Sequence, residues 1–107
     1  MAEPHPIDRL FALIAARKGA DPQSSYTAQL LQKGVAHCAK KLGEEAVETA
    51  LAAVSGDRGA ITAESADLLY HLLVTWVATG VTPAEVYAAL EAREGRSGLA
   101  EKAARKS

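Results

Sequence analysis

Two pairs of acidic residues carry the chemistry available to this chain. Glu45 and Glu48 lie in the run Gly43-Glu44-Glu45-Ala46-Val47-Glu48, and Glu64 and Asp67 lie in Glu64-Ser65-Ala66-Asp67. In helix-forming sequence a spacing of three places both carboxylates of a pair on one face, one turn apart. Each pair repels itself, at a cost of roughly 0.2–0.5 kcal/mol, and Glu44 adds an unfavourable i,i+4 partner for Glu48. Four carboxylates from two facing helices offer hard oxygen ligands for Mg²⁺ or Mn²⁺, and a divalent ion is a common means of handling phosphate esters. Taken singly, Glu44, Glu45 and Glu48 read as a solvated acidic face with Lys41 as an i,i+4 partner. Glu64 and Asp67 taken singly read as charges that favour the positive end of their helix. The conjunction favours a metal centre: two neighbouring segments carry the same spacing, and the second pair occupies the polar side of an otherwise apolar helix.

Helices must position these groups, because helix punctuation is frequent and strand punctuation nearly absent. Pro6 starts a first helix with Ile7, Leu10, Phe11 and Ile14 at 3.6 periodicity, closed by Arg17, Lys18 and Gly19. Residues 21–25 read as a loop, Ser25 or Thr27 caps a short helix through Gln32, and Gly34 allows a break. A long helix follows from about Val35 to Val54, with Val35, Cys38, Ala39, Leu42, Ala46 and Ala50 as its apolar stripe. Lys41, Glu44, Glu45 and Glu48 fall together on another side. Beyond the turn-rich residues 55–59, Thr62 is expected to cap a helix running to about Thr79. Leu68, Leu69, Leu72, Leu73, Trp76 and Val77 cover most of that helix, leaving Glu64, Asp67, His71 and Val74 on the remaining side. Such a helix belongs at the centre of a bundle, and its apolar circumference predicts a homodimer. Thr82-Pro83-Ala84-Glu85 matches a capping box opening a helix to about Arg93. The fold expected is a single all-α domain over residues 1–107, a bundle of about five helices, the last a short one after Gly98.

Composition limits the partners. The chain has 107 residues and a formal net charge of -1. No broad basic field is present to bind nucleic acid or an anionic membrane. Lys40-Lys41 and the basic residues from Lys102 to Lys106 read as solvated faces or local phosphate contacts. A single cysteine, Cys38, excludes an internal disulfide and suits a reducing cytosol; on an apolar stripe it reads as a buried core thiol. The start Met1-Ala2-Glu3-Pro4 lacks the features of a signal peptide, and no apolar run is long enough for a membrane span, so a cytoplasmic location is expected. His71, one turn beyond Asp67, is read as a satisfied core histidine in preference to a partner for a ligand carboxylate or substrate.

Glu44-Glu45-x-x-Glu48 followed by Glu64-x-x-Asp67 resembles the metal-binding signature of the all-α nucleoside triphosphate pyrophosphohydrolases, which include MazG-like and dimeric dUTPase-like enzymes. The flanking residues narrow the likeness. Ser25-Tyr26-Thr27, the run from Lys40 to Glu45, the run from Glu64 to Leu72 and the tail from Arg93 to Lys102 together look like the phosphoribosyl-ATP pyrophosphohydrolase family. The resemblance covers nearly the whole chain, and the tail is its more specific part. It implies hydrolysis of phosphoribosyl-ATP between the α- and β-phosphates to phosphoribosyl-AMP and pyrophosphate, the second activity of histidine biosynthesis, by a homodimer. On that reading Glu45, Glu48, Glu64 and Asp67 hold Mg²⁺, with Mn²⁺ as a substitute. Glu44 or another carboxylate of the cluster, Glu45 and Glu48 included, orients or deprotonates the attacking water. Lys41, Arg93, Arg96, Ser97 and Lys102 are candidate phosphate contacts, the Ser97-Gly98 turn offering backbone N–H groups. Some family members are fused to a zinc-dependent cyclohydrolase, which a chain with one cysteine is not expected to contain. Two alternatives stand beside this reading: a MazG-type enzyme acting on ordinary or damaged nucleoside triphosphates, and a non-enzymatic helical dimerisation module.

Overall fold

Helix caps and glycine breaks set the element order. The computed structural model describes residues 4–94 and Arg105. Five helices and no strand occur among the described residues: α1 (Pro6–Ala16), α2 (Tyr26–Lys33), α3 (Val35–Ser55), α4 (Arg58–Thr79) and α5 (Pro83–Arg93). The all-α expectation holds. The short helix expected after Gly98 lies outside the described residues.

Each start has a local cause. Pro6 opens α1, where the His5 ring nitrogen accepts the Ile7 N–H at 3.1 Å. The Ser25 hydroxyl accepts the Ala28 N–H at 3.1 Å and caps α2, while the alternative cap, Thr27, bonds Tyr70 instead. Gly34 separates α2 from α3 with φ +94°, a conformation that a residue with a Cβ adopts only under strain. Thr82 and Glu85 complete the capping box at α5, with Glu85 Oε1 accepting the Thr82 N–H at 3.1 Å.

The start of α4 departs from the sequence expectation by five residues, the cap being Asp57 in place of Thr62. Gly56, in the left-handed region at φ +76°, ends α3, and the Asp57 side chain accepts the Ala60 N–H at 3.2 Å. The chain re-enters a helix at once, and the Thr62 hydroxyl, taken as the cap, donates back to the Arg58 carbonyl at 2.8 Å. A link this short makes α3 and α4 an antiparallel hairpin, and their interface is the most extensive among the described helices.

Around the hairpin, α1 packs on α4, α2 packs on both α3 and α4, and α5 touches α1, where the Tyr87 hydroxyl donates to Asp8 at 3.0 Å. The core joins Ile14, Leu30, Cys38, Leu73, Val74 and Val77. Leu73 has no exposed surface, so its burial alone contributes about 1.5–3 kcal/mol. Cys38 is buried as expected and donates its S–H to the Leu30 carbonyl at 3.2 Å.

Two packing expectations need correction. On α3, Val35, Ala39, Ala46 and Ala50 are exposed; the inward line is Cys38, Leu42, Glu45, Thr49 and Ala52. That line runs at spacings of three and four and carries polar groups, which hid it from an apolar-stripe reading. On α4, Leu73 and Val77, counted toward a dimer face, are covered within the chain, and so is Val74 on the side assigned as polar. Among the described residues no single helix is long and apolar enough to cross a membrane.

Candidate functional site

Register between α3 and α4 builds the site. The Thr49 hydroxyl shares its hydrogen between the Glu45 carbonyl one turn back on α3, at 2.8 Å, and the Glu64 carbonyl on α4, at 3.1 Å. This small polar side chain brings the turn bearing Glu64 against the turn bearing Glu45 and Glu48. Carboxylate oxygens of Glu45, Glu48 and Glu64 consequently gather within 4.8 Å of one another. Glu48 is exposed and the other two are half-buried.

The electrostatics record the crowding. Burial pushes the Glu45 carboxyl above its ordinary value, and the neighbouring Glu48 carboxylate raises it further. Glu64 is raised in the same way, by burial first and then by the Glu48 carboxylate and the other charges around it. Glu45 Oε2 and Glu64 Oε2 are buried with no hydrogen-bond partner. Orphaned buried acceptors carrying negative charge call for a cation.

A divalent oxygen-seeking ion fits these residues. Two ligand oxygens on one Mg²⁺ stand at most about 4.2 Å apart, given metal–oxygen distances of about 2.0–2.1 Å. Small rotations of three flexible glutamate side chains bring the observed group into that range. The donor set is all oxygen, which suits Mg²⁺ and Mn²⁺, and the one thiol, Cys38, is committed to the Leu30 carbonyl.

The other sequence candidates divide. Asp67 is exposed and stands outside the group of three, although its charge helps to raise both Glu45 and Glu64. Glu44 is exposed and paired with Lys41 at 3.2 Å, which holds the Lys41 ammonium above its usual value. Lys41 lies one turn before Glu45 on α3, at the rim of the cluster, and the Glu45 charge adds to the rise. Arg93 sits in the last turn of α5. Arg96, Ser97 and Lys102 lie outside the described residues.

His71 is not the satisfied core histidine expected. It is 6% exposed, and its Nδ1 lies 2.9 Å from the Asp67 carbonyl, but Nε2 has no partner. The rings of Tyr70 and Tyr26 meet it edge-on at 5.0 and 6.5 Å. Thr49 and Tyr26 are the site residues that sequence reasoning left without a role. The signal for Thr49 was its place one turn after Glu45; for Tyr26 there was only its motif.

A pH dependence follows. Both raised carboxyls titrate above the unfolded value, about 4.3 for glutamate. Their contribution to the stability of the metal-free protein is complete below that value and is lost as pH rises through the folded values. Urea midpoints measured from about pH 4 to about pH 7 should fall more steeply for the native chain than for the Glu45→Gln, Glu64→Gln double variant. A steeper fall in the variant would reverse the sign. Mg²⁺ must displace those protons, so its affinity should rise across the same window.

An all-α chain whose central hairpin gathers carboxylates at these spacings has the arrangement of the all-α nucleotide pyrophosphohydrolases. The family profile for phosphoribosyl-ATP pyrophosphohydrolase matches residues 7–94, all five described helices but for Pro6. A phosphoribosyl-ATP pyrophosphatase of Parvibaculum lavamentivorans is 68% identical, over 97% of this chain and 95% of the relative. One of Azospirillum brasilense is 59% identical over 94% and 91%, and one of Cereibacter sphaeroides 62% over 92% and 96%. The chain belongs to the phosphoribosyl-ATP pyrophosphohydrolase family and is a hydrolase. The profile ends before Arg96, Ser97 and Lys102, whereas the Parvibaculum alignment takes in most of the tail's length.

Proposed function

We propose that Glu45, Glu48 and Glu64, with Asp67 beside them, hold Mg²⁺, replaceable by Mn²⁺, for the hydrolysis of phosphoribosyl-ATP to phosphoribosyl-AMP and pyrophosphate. The reaction follows from the family, and it is the second step of histidine biosynthesis. The observation that carries the metal assignment is the pair of buried, unpartnered carboxylate oxygens within a group of three. Bound there, the ion offsets the triphosphate charge and that of the leaving pyrophosphate.

The chain's own residues do the rest. A water oxygen forms a bond to the α-phosphorus while the bond from that phosphorus to the α,β-bridging oxygen breaks, its electron pair leaving with pyrophosphate. The water's proton passes to a carboxylate of the cluster; Glu45, half-buried within the group, is better placed for this than Glu44, which is exposed and engaged with Lys41. Lys41 at the rim approaches the phosphates, and Arg93, Arg96, Ser97 and Lys102 are the further phosphate contacts of this reading.

A homodimer completes it, supported by an apolar line on the outer face of α3: Val47, Leu51 and Val54 are 59%, 65% and 87% exposed in the single chain. The setting is cytoplasmic and the partner a small molecule, with neither nucleic acid nor membrane involved.

The product pattern tests the assignment. With Mg²⁺ and phosphoribosyl-ATP the products should be phosphoribosyl-AMP and pyrophosphate, with little orthophosphate and no ring-opened product, and with ATP and dUTP turned over far more slowly. Orthophosphate as the main product would defeat the mechanism. Faster turnover of an ordinary nucleoside triphosphate would point to a MazG-type activity, and no metal-dependent turnover at all to a dimerisation module.

A further inference from the structure

Three buried side-chain atoms around the centre lack a partner, and one of them is uncharged. Glu45 Oε2 and Glu64 Oε2 are anionic acceptors that a cation satisfies; His71 Nε2 is not. A carbonyl oxygen cannot donate, so the contact between His71 Nδ1 and the Asp67 carbonyl at 2.9 Å places the hydrogen on Nδ1. In the neutral ring Nε2 is then a bare lone pair. Edge-on packing by Tyr70 and Tyr26 holds the plane of the ring, so the lone pair has a fixed direction.

Register sets which turns of α3 lie across from the ring. His71 lies two turns beyond Glu64 on the same side of α4. Because Thr49 of α3 bonds the Glu64 carbonyl, the antiparallel hairpin sets the turns of α3 carrying Glu45 and Lys41 opposite Asp67 and His71. Glu45 Oε2 and His71 Nε2 do not bond each other. The ring nitrogen also stands outside the group within which Glu45, Glu48 and Glu64 lie, so it is not a fourth ligand of that group.

Once a cation satisfies the carboxylates, His71 Nε2 is the buried acceptor left over; it requires a donor, and water is the smallest one whose second hydrogen is free for another acceptor. We propose that His71 Nε2, together with Glu45, holds the water that attacks the α-phosphorus, orienting it through a lone pair while the ring stays neutral. This deepens the pyrophosphohydrolase reading and rests on it. The role needs no titration of the imidazole. It assigns the Asp67 carbonyl a part as well, that of fixing the tautomer.

Two substitutions separate the acceptor from the tether. His71→Asn keeps an N–H near the Nδ1 position for the Asp67 carbonyl and removes the acceptor. His71→Gln reaches the Nε2 position with an amide oxygen. With Mg²⁺ and phosphoribosyl-ATP, His71→Asn should lower kcat about 100-fold, the scale of loss when a reacting group is misplaced by about 1 Å, with KM within about threefold. His71→Gln should recover at least about tenfold of that loss, since it restores the same contact. Equal losses in the two variants, native kcat in His71→Asn, or an effect confined to KM would each overturn the proposal. Nitrogen NMR of the ¹⁵N-histidine-labelled native chain, without metal or substrate, supplies a readout that does not depend on turnover or on the variants folding. Nδ1 should carry the proton and Nε2 should show the resonance of a bare nitrogen accepting a hydrogen bond; a protonated Nε2 would overturn the assignment. If the native enzyme released no pyrophosphate from phosphoribosyl-ATP, the functional reading would fail by itself, and the NMR result would still decide whether Nε2 is an acceptor.

Discussion

Glu48→Gln is expected to lower phosphoribosyl-ATP turnover by more than about 100-fold, beyond the range usual for residues that only orient a ligand, with the helical fold intact. Glu48 is the charge felt by both Glu45 and Glu64, so its loss affects the whole group. Glu45→Gln and Glu64→Gln should behave alike, and Asp67→Asn should be milder because Asp67 is exposed and outside the group. Stability should move the other way. Neutralising one member of a self-repelling trio removes repulsion, so metal-free melting temperatures should hold or rise. Mg²⁺ should raise the native melting temperature by mass action and lose that effect in the triple glutamine variant. Native turnover in any two of the single variants would remove the cluster from the chemistry.

The second large effect concerns assembly. Val47, Leu51 and Val54 follow one another at spacings of four and three, so they form one line along α3, opposite the inward-facing Glu45 and bordered by Glu48. A two-fold axis would pair such a line with itself, and any substitution there enters the interface twice. Leu51→Glu puts a charge in the middle of it. An unpaired buried charge costs several kcal/mol, and each 1.4 kcal/mol is tenfold in affinity. Dimer affinity should therefore fall by at least about 100-fold, while circular dichroism shows an unchanged helix content. Sedimentation of the native chain at micromolar concentration decides the matter first, since a monomer there would leave the apolar line without the partner argued for it.

Much of this was legible in the residues, for identifiable reasons. Proline, glycine and capping side chains act locally, so α1, α2, α3 and α5 fall within a residue or so of where Pro6, Ser25, Gly34 and Thr82 put them. The start of α4 was not legible, because Asp57 and Thr62 are both good caps and only the geometry after Gly56 selects the first. The acidic spacings singled out Glu45, Glu48 and Glu64, whose carboxylates the fold brings together. Spacing alone did not separate them from Glu44 or Asp67, since that depends on which way α3 turns toward α4. The inward line of α3 contains a glutamate and a threonine, and a rule that looks for apolar residues inside passes over them. His71 was assigned to the core correctly but credited with a full set of partners, and only coordinates show that one nitrogen has none.

The hairpin linked through Gly56 and Asp57 also has a kinetic meaning. Every carboxylate of the site comes from residues 45–67, on two consecutive helices that share the largest interface among the described helices. Closing so short a loop costs little chain entropy, and contacts between near neighbours in sequence belong to the fast end of the folding range. The mutual repulsion of Glu45, Glu48 and Glu64 is therefore built into a local folding unit, where it opposes hairpin closure itself instead of a later docking of distant segments.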